Sequence, residues 1–260
     1  MGMRLGCYAA ALGGCSKRMS REHFVSKTVL KRLEQLGGLG ITGVPWTPPW
    51  PLRSNALTAK VLCISHNEAL SALDAEAGLF FTTICDVVDY FRATGNEPRQ
   101  SRVFSGDLLQ RWMLKVLCGS VASNHARDAS GNIISPRCPP SSWLRMLYGQ
   151  QPFPRDTGLH LGMPDGSSVS AEPRVSFETL CGPLVGQIAG AILTLSGPRF
   201  VLAMWGGARA GTPTAQDKAL YRPKFLRLRH GDLSFQLDIE WQDRGDEKGA
   251  EFTWSVEADV

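Results

Sequence analysis

Cys7, Cys15, Cys63 and His66 are sulfur and nitrogen donors, and only two residues separate the last two. Donors of these kinds, presented as two pairs, are what a structural tetrahedral zinc takes. Between the pairs lies Ser20-Arg21-Glu22-His23, and Asn67 directly follows the last donor. An imidazole titrates close to neutral pH, which makes His23 the candidate general base for activating water. Glu22 is a hard oxygen donor suited to Mg2+ or Mn2+, and Asn67 can add a carbonyl oxygen to the same ion. An activated water, a cation on the phosphate oxygens and a neutralised leaving oxygen are the needs of phosphodiester hydrolysis. Two kinds of metal are therefore expected. Structural zinc would sit on Cys7, Cys15, Cys63 and His66, and a catalytic ion on Glu22 and Asn67.

The elements that must position these groups follow from the patterning. Gly13-Gly14 marks a turn that can loop out the residues between the first two cysteines. Residues 24–36 have the apolar spacing of a short amphipathic helix, ended by Gly37-Gly38. Residues 41–53 hold four prolines with Trp46 and Trp50, which predicts an aromatic loop. Residues 57–62 read as a strand leading into Cys63. Apolar residues at intervals of three and four predict helices from His66 to about Tyr90 and from Gly106 to Ala122. Residues 126–142 read as loop. Beyond Val169 the pattern turns to short strands at 175–177, 188–195, 199–204, 225–228, 233–241 and 252–256. The expected fold is α+β: an N-terminal zinc-stapled module, middle helices and a mostly antiparallel C-terminal β region. The break at Gly95, Asn96 and Pro98 suggests domains at 1–95 and 96–260.

Composition narrows the function classes. A hydrophobic fraction of 43% with 20% charged residues is that of an ordinary globular chain. The longest apolar run, 184–195, is broken by Gly186, Gln187 and Gly190, so no membrane span is expected. The first residues lack the apolar core of a signal peptide, and seven irregularly spaced cysteines do not form a secreted disulfide framework. A cytoplasmic location is expected. Residues 1–60 hold nine Lys/Arg against Glu22 and Glu34, whereas the rest of the chain is slightly acidic. Such a basic segment is either a solvated face or a surface for a polyanion such as DNA, with RNA not excluded.

The order Cys, Cys, Ser-Arg-Glu-His and then Leu-Cys-x-x-His-Asn resembles the HNH endonucleases, whose core is a ββα-metal finger. The resemblance covers about residues 1–80. It implies that Glu22 binds the catalytic cation, His23 activates water and Asn67 is the second ligand. It also implies that Cys7, Cys15, Cys63 and His66 are zinc knuckles, and that cleavage leaves a 5′-phosphate and a 3′-hydroxyl. The family's middle Asn, which holds the backbone or the catalytic His, has Thr58 and Asn55 as its nearest counterparts. The resemblance further points to DNA as substrate and to restriction or phage defence as the setting. The C-terminal region would serve recognition, oligomerisation or a partner protein. The competing expectation is a non-catalytic zinc-finger-like module that binds nucleic acid or protein. Catalytic zinc is disfavoured because four protein ligands close the site to water.

Other residues carry less. Asp74 follows Asn67 on the same helical face and could support the site or act as a solvated cap. Lys27 and Arg21 are either phosphate contacts or exposed charges. Arg111, Trp112 and Lys115 lie on a helix whose apolar positions read as core. Cys85, Cys118 and Cys181 read as inert buried thiols, and Cys138 as a loop residue. His125, His160 and His230 read as ordinary surface or loop residues, and Gly206-Gly207 as a turn.

Overall fold

A computed structural model of the chain describes residues 6–35, 41–42, 58–92, 102–126, 132–134, 138–155, 157–170, 175–182, 187–195, 197–204, 219–242 and 248–255. The Trp46–Trp50 loop, Asn55, the boundary near residue 95 and Gly206-Gly207 lie outside these residues.

β1 (Met19–His23) is followed by α1 (Lys27–Gln35) and the two-residue β2 (Ile41–Thr42) before β3 (Thr58–Cys63) pairs back on it. The β1–β3 ladder is antiparallel and places Met19 opposite Cys63 and His23 opposite Thr58, with a register shift between Ser20 and Glu22. Cys63 is the N-terminal cap residue of the short α2 (Ile64–Glu68), and the long α3 (Ser71–Phe91) follows it. Together these elements form a ββα arrangement at the N-terminus. The helix predicted from His66 onward is thus interrupted at Leu70, which begins α3 with a backbone outside helical geometry.

β4 (Val103–Ser105) leads into α4 (Gly106–Ala122), whose start Ser105 caps by accepting a hydrogen bond from the Leu108 N–H at 3.3 Å. α5 (Ser141–Leu147) starts just after Pro139-Pro140, and the sequence pattern did not reveal it. The remaining strands are β5 (Gly158–Leu161), β6 (Ser168–Ser170), β7 (Val175–Cys181), β8 (Ile188–Leu195), β9 (Arg199–Ala203), β10 (Leu220–Tyr221), β11 (Phe225–His230), β12 (Leu233–Glu240) and β13 (Ala250–Ser255). One sheet has the order β10-β5-β9-β8-β7-β2 and is antiparallel except where β2 joins β7. The other has the order β4-β12-β11-β13-β6, and only its β11–β12 pair is antiparallel. The fold is therefore α+β as expected, with both larger sheets mixed: the six-stranded one has a single parallel pair and the five-stranded one has three.

One buried apolar cluster runs from Cys7 to Trp254 and includes the inner faces of α3 and α4. Phe80 on α3 meets Phe104 edge-on at 5.1 Å and Phe200 at 5.9 Å, joining the helix to both sheets. Burying such a ring contributes about 1.5–3 kcal/mol. α1 packs on α3 where Gly78 leaves room, since a methyl group there would run into Thr28. No helix among the described residues is long and apolar enough to cross a membrane.

Candidate metal centre

The two cysteines before β1 reach the site through a turn. The Tyr8 N–H donates to the Val61 carbonyl at 2.9 Å, which fixes Cys7 beside β3. A single 3-10 turn at Ala10–Leu12 then reverses the chain at Gly13 and Gly14, whose φ angles are +79° and +69°. Glycine takes that left-handed backbone without strain, so the stretched first pair folds back without displacing Cys15. On the other side, the Ile64 N–H donates to the Arg18 carbonyl at 3.0 Å, and the Ser65 N–H donates to Ser16 Oγ at 3.3 Å. These bonds hold the start of α2 against the segment that precedes β1.

His66 Nδ1 lies 3.2 Å from Cys63 Sγ, 3.4 Å from Cys7 Sγ and 3.6 Å from Cys15 Sγ. All four ligand atoms lie within 4.8 Å of one another. A tetrahedral zinc with Zn–S near 2.3 Å and Zn–N near 2.0 Å requires sulfur–nitrogen separations of about 3.5 Å. The donors fit one zinc ion through Nδ1, in a closed Cys3His set. Tyr148 supports the ligand from behind: its hydroxyl donates to the His66 carbonyl at 3.0 Å, and its ring meets the imidazole edge-on at 5.4 Å. Among the described residues no other group of His, Cys, Asp and Glu is assembled this way.

The thiols are not equivalent. Burial and the charge of Cys63 push Cys7 up to about 12, against hydrogen bonds from the Cys63 and Ala9 backbone. At Cys63 burial also opposes ionisation, but hydrogen bonds from the His66 backbone and from Ser16 outweigh it and bring the thiol down to about 6. Cys7 and Cys63 this close resist ionising together, and a divalent cation would remove that conflict.

The second set of groups is arranged differently from the expectation. Asn67 does come to β1, where its Nδ2 donates to Ser20 Oγ at 2.9 Å. Glu22 is 1% exposed and turns into the core, where its Oε1 lies 2.6 Å from Lys115 Nζ on α4. The same ammonium donates to both Asp74 carboxylate oxygens at 2.7 Å and to the His23 carbonyl at 2.9 Å. Asp74 also accepts from Ser26 Oγ at 2.6 Å, and Ser26 accepts from the Trp112 indole N–H at 2.7 Å. Burial raises the Glu22 carboxyl above its ordinary value; Lys115 opposes the shift and Asp74 adds to it.

As assembled here, Glu22 and Asn67 do not fit a Mg2+ or Mn2+ ion. The carboxylate meets an ammonium and the amide meets a hydroxyl. Thr58 stands opposite His23 in the ladder and accepts from Arg21 Nη2 at 3.5 Å, but the His23 carbonyl is held by Lys115. Patterning missed this because a lysine within an apolar helical run gives no local sign of a partner on a distant strand.

The minor expectations sort cleanly. Cys85 and Cys118 are buried, whereas Cys181 is exposed, a correction explained by its place as the last residue of β7, beyond a register shift. Cys138 is exposed. Lys17, Arg18, Arg21, Lys27, Lys31 and Lys60 are exposed, while Arg32 pairs with Asp86 and Asp89 at 3.0 and 2.8 Å. His160 lies in β5 and His230 ends β11, both half-buried strand residues and not the surface or loop residues expected; each lies against a backbone carbonyl, of Gly158 and of Trp254. Comparison of the chain with protein-family models, curated proteins and solved structures finds no match.

Proposed function

We propose that the chain is a zinc-stapled hydrolase of HNH type that acts on nucleic-acid phosphodiester bonds, with DNA as substrate. The observation that carries the reading is the convergence of Cys7, Cys15, Cys63 and His66, which sets Asn67 on the strand bearing Glu22-His23. Zinc in this reading is structural, because its four protein ligands leave no position for water. His23 is the base that takes a proton from the attacking water. The exposed Lys17, Arg18, Arg21 and Lys60 on this module supply cations for a phosphate backbone. RNA offers the same phosphate chemistry, and the C-terminal sheets offer surface for recognition, oligomerisation or a partner protein. Restriction or phage defence in a reducing cytoplasm is the setting that suits such an enzyme.

When bound, a Mg2+ or Mn2+ ion would supply charge neutralisation at the phosphate and the leaving oxygen. With Glu22 committed to Lys115, no step is assigned to such an ion. The same ion pair favours a second reading, in which the module keeps its zinc and binds nucleic acid without cutting it.

Plasmid nicking separates the two readings. The hydrolase reading expects zinc-loaded protein to nick DNA, alone or with added Mg2+ or Mn2+, and His23→Ala to abolish nicking while keeping its zinc. Retention of DNA without cleavage by both proteins, across metals and substrates, selects the binding reading. Absence of zinc from purified protein sinks both.

A further inference from the structure

Lys115 is 1% exposed and sits on α4 among buried Trp112, Met113, Leu114 and Val116. A lysine is almost never found at such a depth unless its charge is met. Its Nζ has Glu22 Oε1 at 2.6 Å, Asp74 Oδ1 and Oδ2 at 2.7 Å and the His23 carbonyl oxygen at 2.9 Å. Two carboxylates and one backbone carbonyl are the oxygen donors that a hard divalent cation selects. Here they surround an ammonium that is covalently part of the chain. A second cation at the same oxygens would lie against Nζ in a buried setting, where like charges repel strongly. Asp74 keeps 31% of its side chain exposed, so the cluster is open to solvent on that side.

We propose that Lys115 is the resident cation of this site: its ammonium takes the place among Glu22, Asp74 and the His23 carbonyl that a divalent ion would need. The native protein therefore binds no Mg2+ or Mn2+ through Glu22, and replacing Lys115 with a neutral side chain turns the cluster into a divalent-cation site. Lys115 is at the same time a positioning residue, since it ties the end of β1 to α3 and α4 through the His23 carbonyl and Asp74. The proposal does not depend on the hydrolase reading, because its readout is metal binding and not cleavage.

Mn2+ titrated into zinc-loaded protein, with free Mn2+ followed by electron paramagnetic resonance, tests it. Native protein and Glu22→Gln are expected to give the same weak, unsaturated titration. Lys115→Met, which keeps an unbranched apolar stem and ends one atom short of Nζ, is expected to gain one saturable site, tighter by roughly tenfold or more. Glu22→Gln added to that background should remove the gain. A saturable site in the native protein that Glu22→Gln removes overturns the proposal. So does a folded, zinc-loaded Lys115→Met protein without the new site. If Lys115→Met does not fold, the comparison of native protein with Glu22→Gln decides the question alone.

Discussion

Asn67 donates to Ser20 at 2.9 Å across 47 positions of sequence. Neither residue is a candidate zinc ligand, yet each lies close in the chain to one: Asn67 follows His66, and Ser20 is five positions past Cys15. The bond ties α2 to β1 beside the cluster in which Cys15, Cys63 and His66 come together.

Purified protein should hold one zinc per chain, and Cys63→Ser should lose it together with much of the chain's stability. Structural zinc in small modules carries about 10–16 kcal/mol of apparent binding free energy. Loss of even ~5 kcal/mol lowers a melting midpoint by roughly 10–20 °C in a chain of this size. Cys85→Ser, a buried thiol remote from the cluster in sequence, should retain the zinc. Metal analysis and calorimetry on both variants check this, and a zinc-free native protein would falsify it. Cys138 and Cys181, the exposed thiols, should react first with a thiol reagent, and a chelator should then release Cys7, Cys15 and Cys63.

Lys115→Met should destabilise the fold by about 3–5 kcal/mol, because it leaves the buried Glu22 carboxylate, and the half-buried Asp74, without their shared cation. Adding Glu22→Gln should recover part of that loss, since residues of one ionic network do not behave additively. Chemical denaturation of the single and double variants measures the coupling. Strict additivity would show that the two side chains do not interact.

The pH response of Glu22 has a definite sign. Burial raises its folded-state carboxyl above the ordinary glutamate value, so the folded protein holds that proton more tightly than the unfolded chain. The stabilisation from this group is complete below the ordinary carboxylate range and is lost as pH rises through the raised value. Gln at position 22 has no such loss. The stability of Glu22→Gln relative to native protein should therefore improve as pH rises above the ordinary carboxylate range. Urea midpoints of both proteins at each pH give the difference, in which the zinc site's own pH dependence cancels. A gap that stays constant or moves the other way removes the argument.

Ser26→Ala should cost about 1–3 kcal/mol, more than an ordinary surface hydroxyl. It removes the acceptor of the buried Trp112 indole N–H and one donor to Asp74. Denaturation followed by tryptophan fluorescence would register both the loss and the changed indole environment. A change within the range of exposed serines would mean that water replaces the hydroxyl without penalty.

Much of the candidate metal centre was legible because zinc ligation depends on residue type and short spacing, and Cys63-x-x-His66 carries both. The helix at Gly106–Ala122 and the strand at Ile188–Leu195 appear where periodicity put them, since an apolar face or run is a local property. Pairing partners are not local. The strands β4 and β6 join the five-stranded sheet in parallel from far along the chain, and no turn signal announces such crossovers. Lys115 escaped for the same reason. Its helix pattern was read correctly as core, and the carboxylates that make a buried ammonium tolerable lie on β1 and α3.

The candidate zinc donors flank the two ends of a long excursion: the chain leaves after His23 and returns at Thr58, opposite the residue it left. Closing such an excursion is an entropic matter that grows only with the logarithm of its length, about 0.6 kcal/mol for each doubling. The length of chain between β1 and β3 is therefore a weak determinant of the ladder's stability. The register rests instead on the residues that flank the excursion, Met19 opposite Cys63 and His23 opposite Thr58.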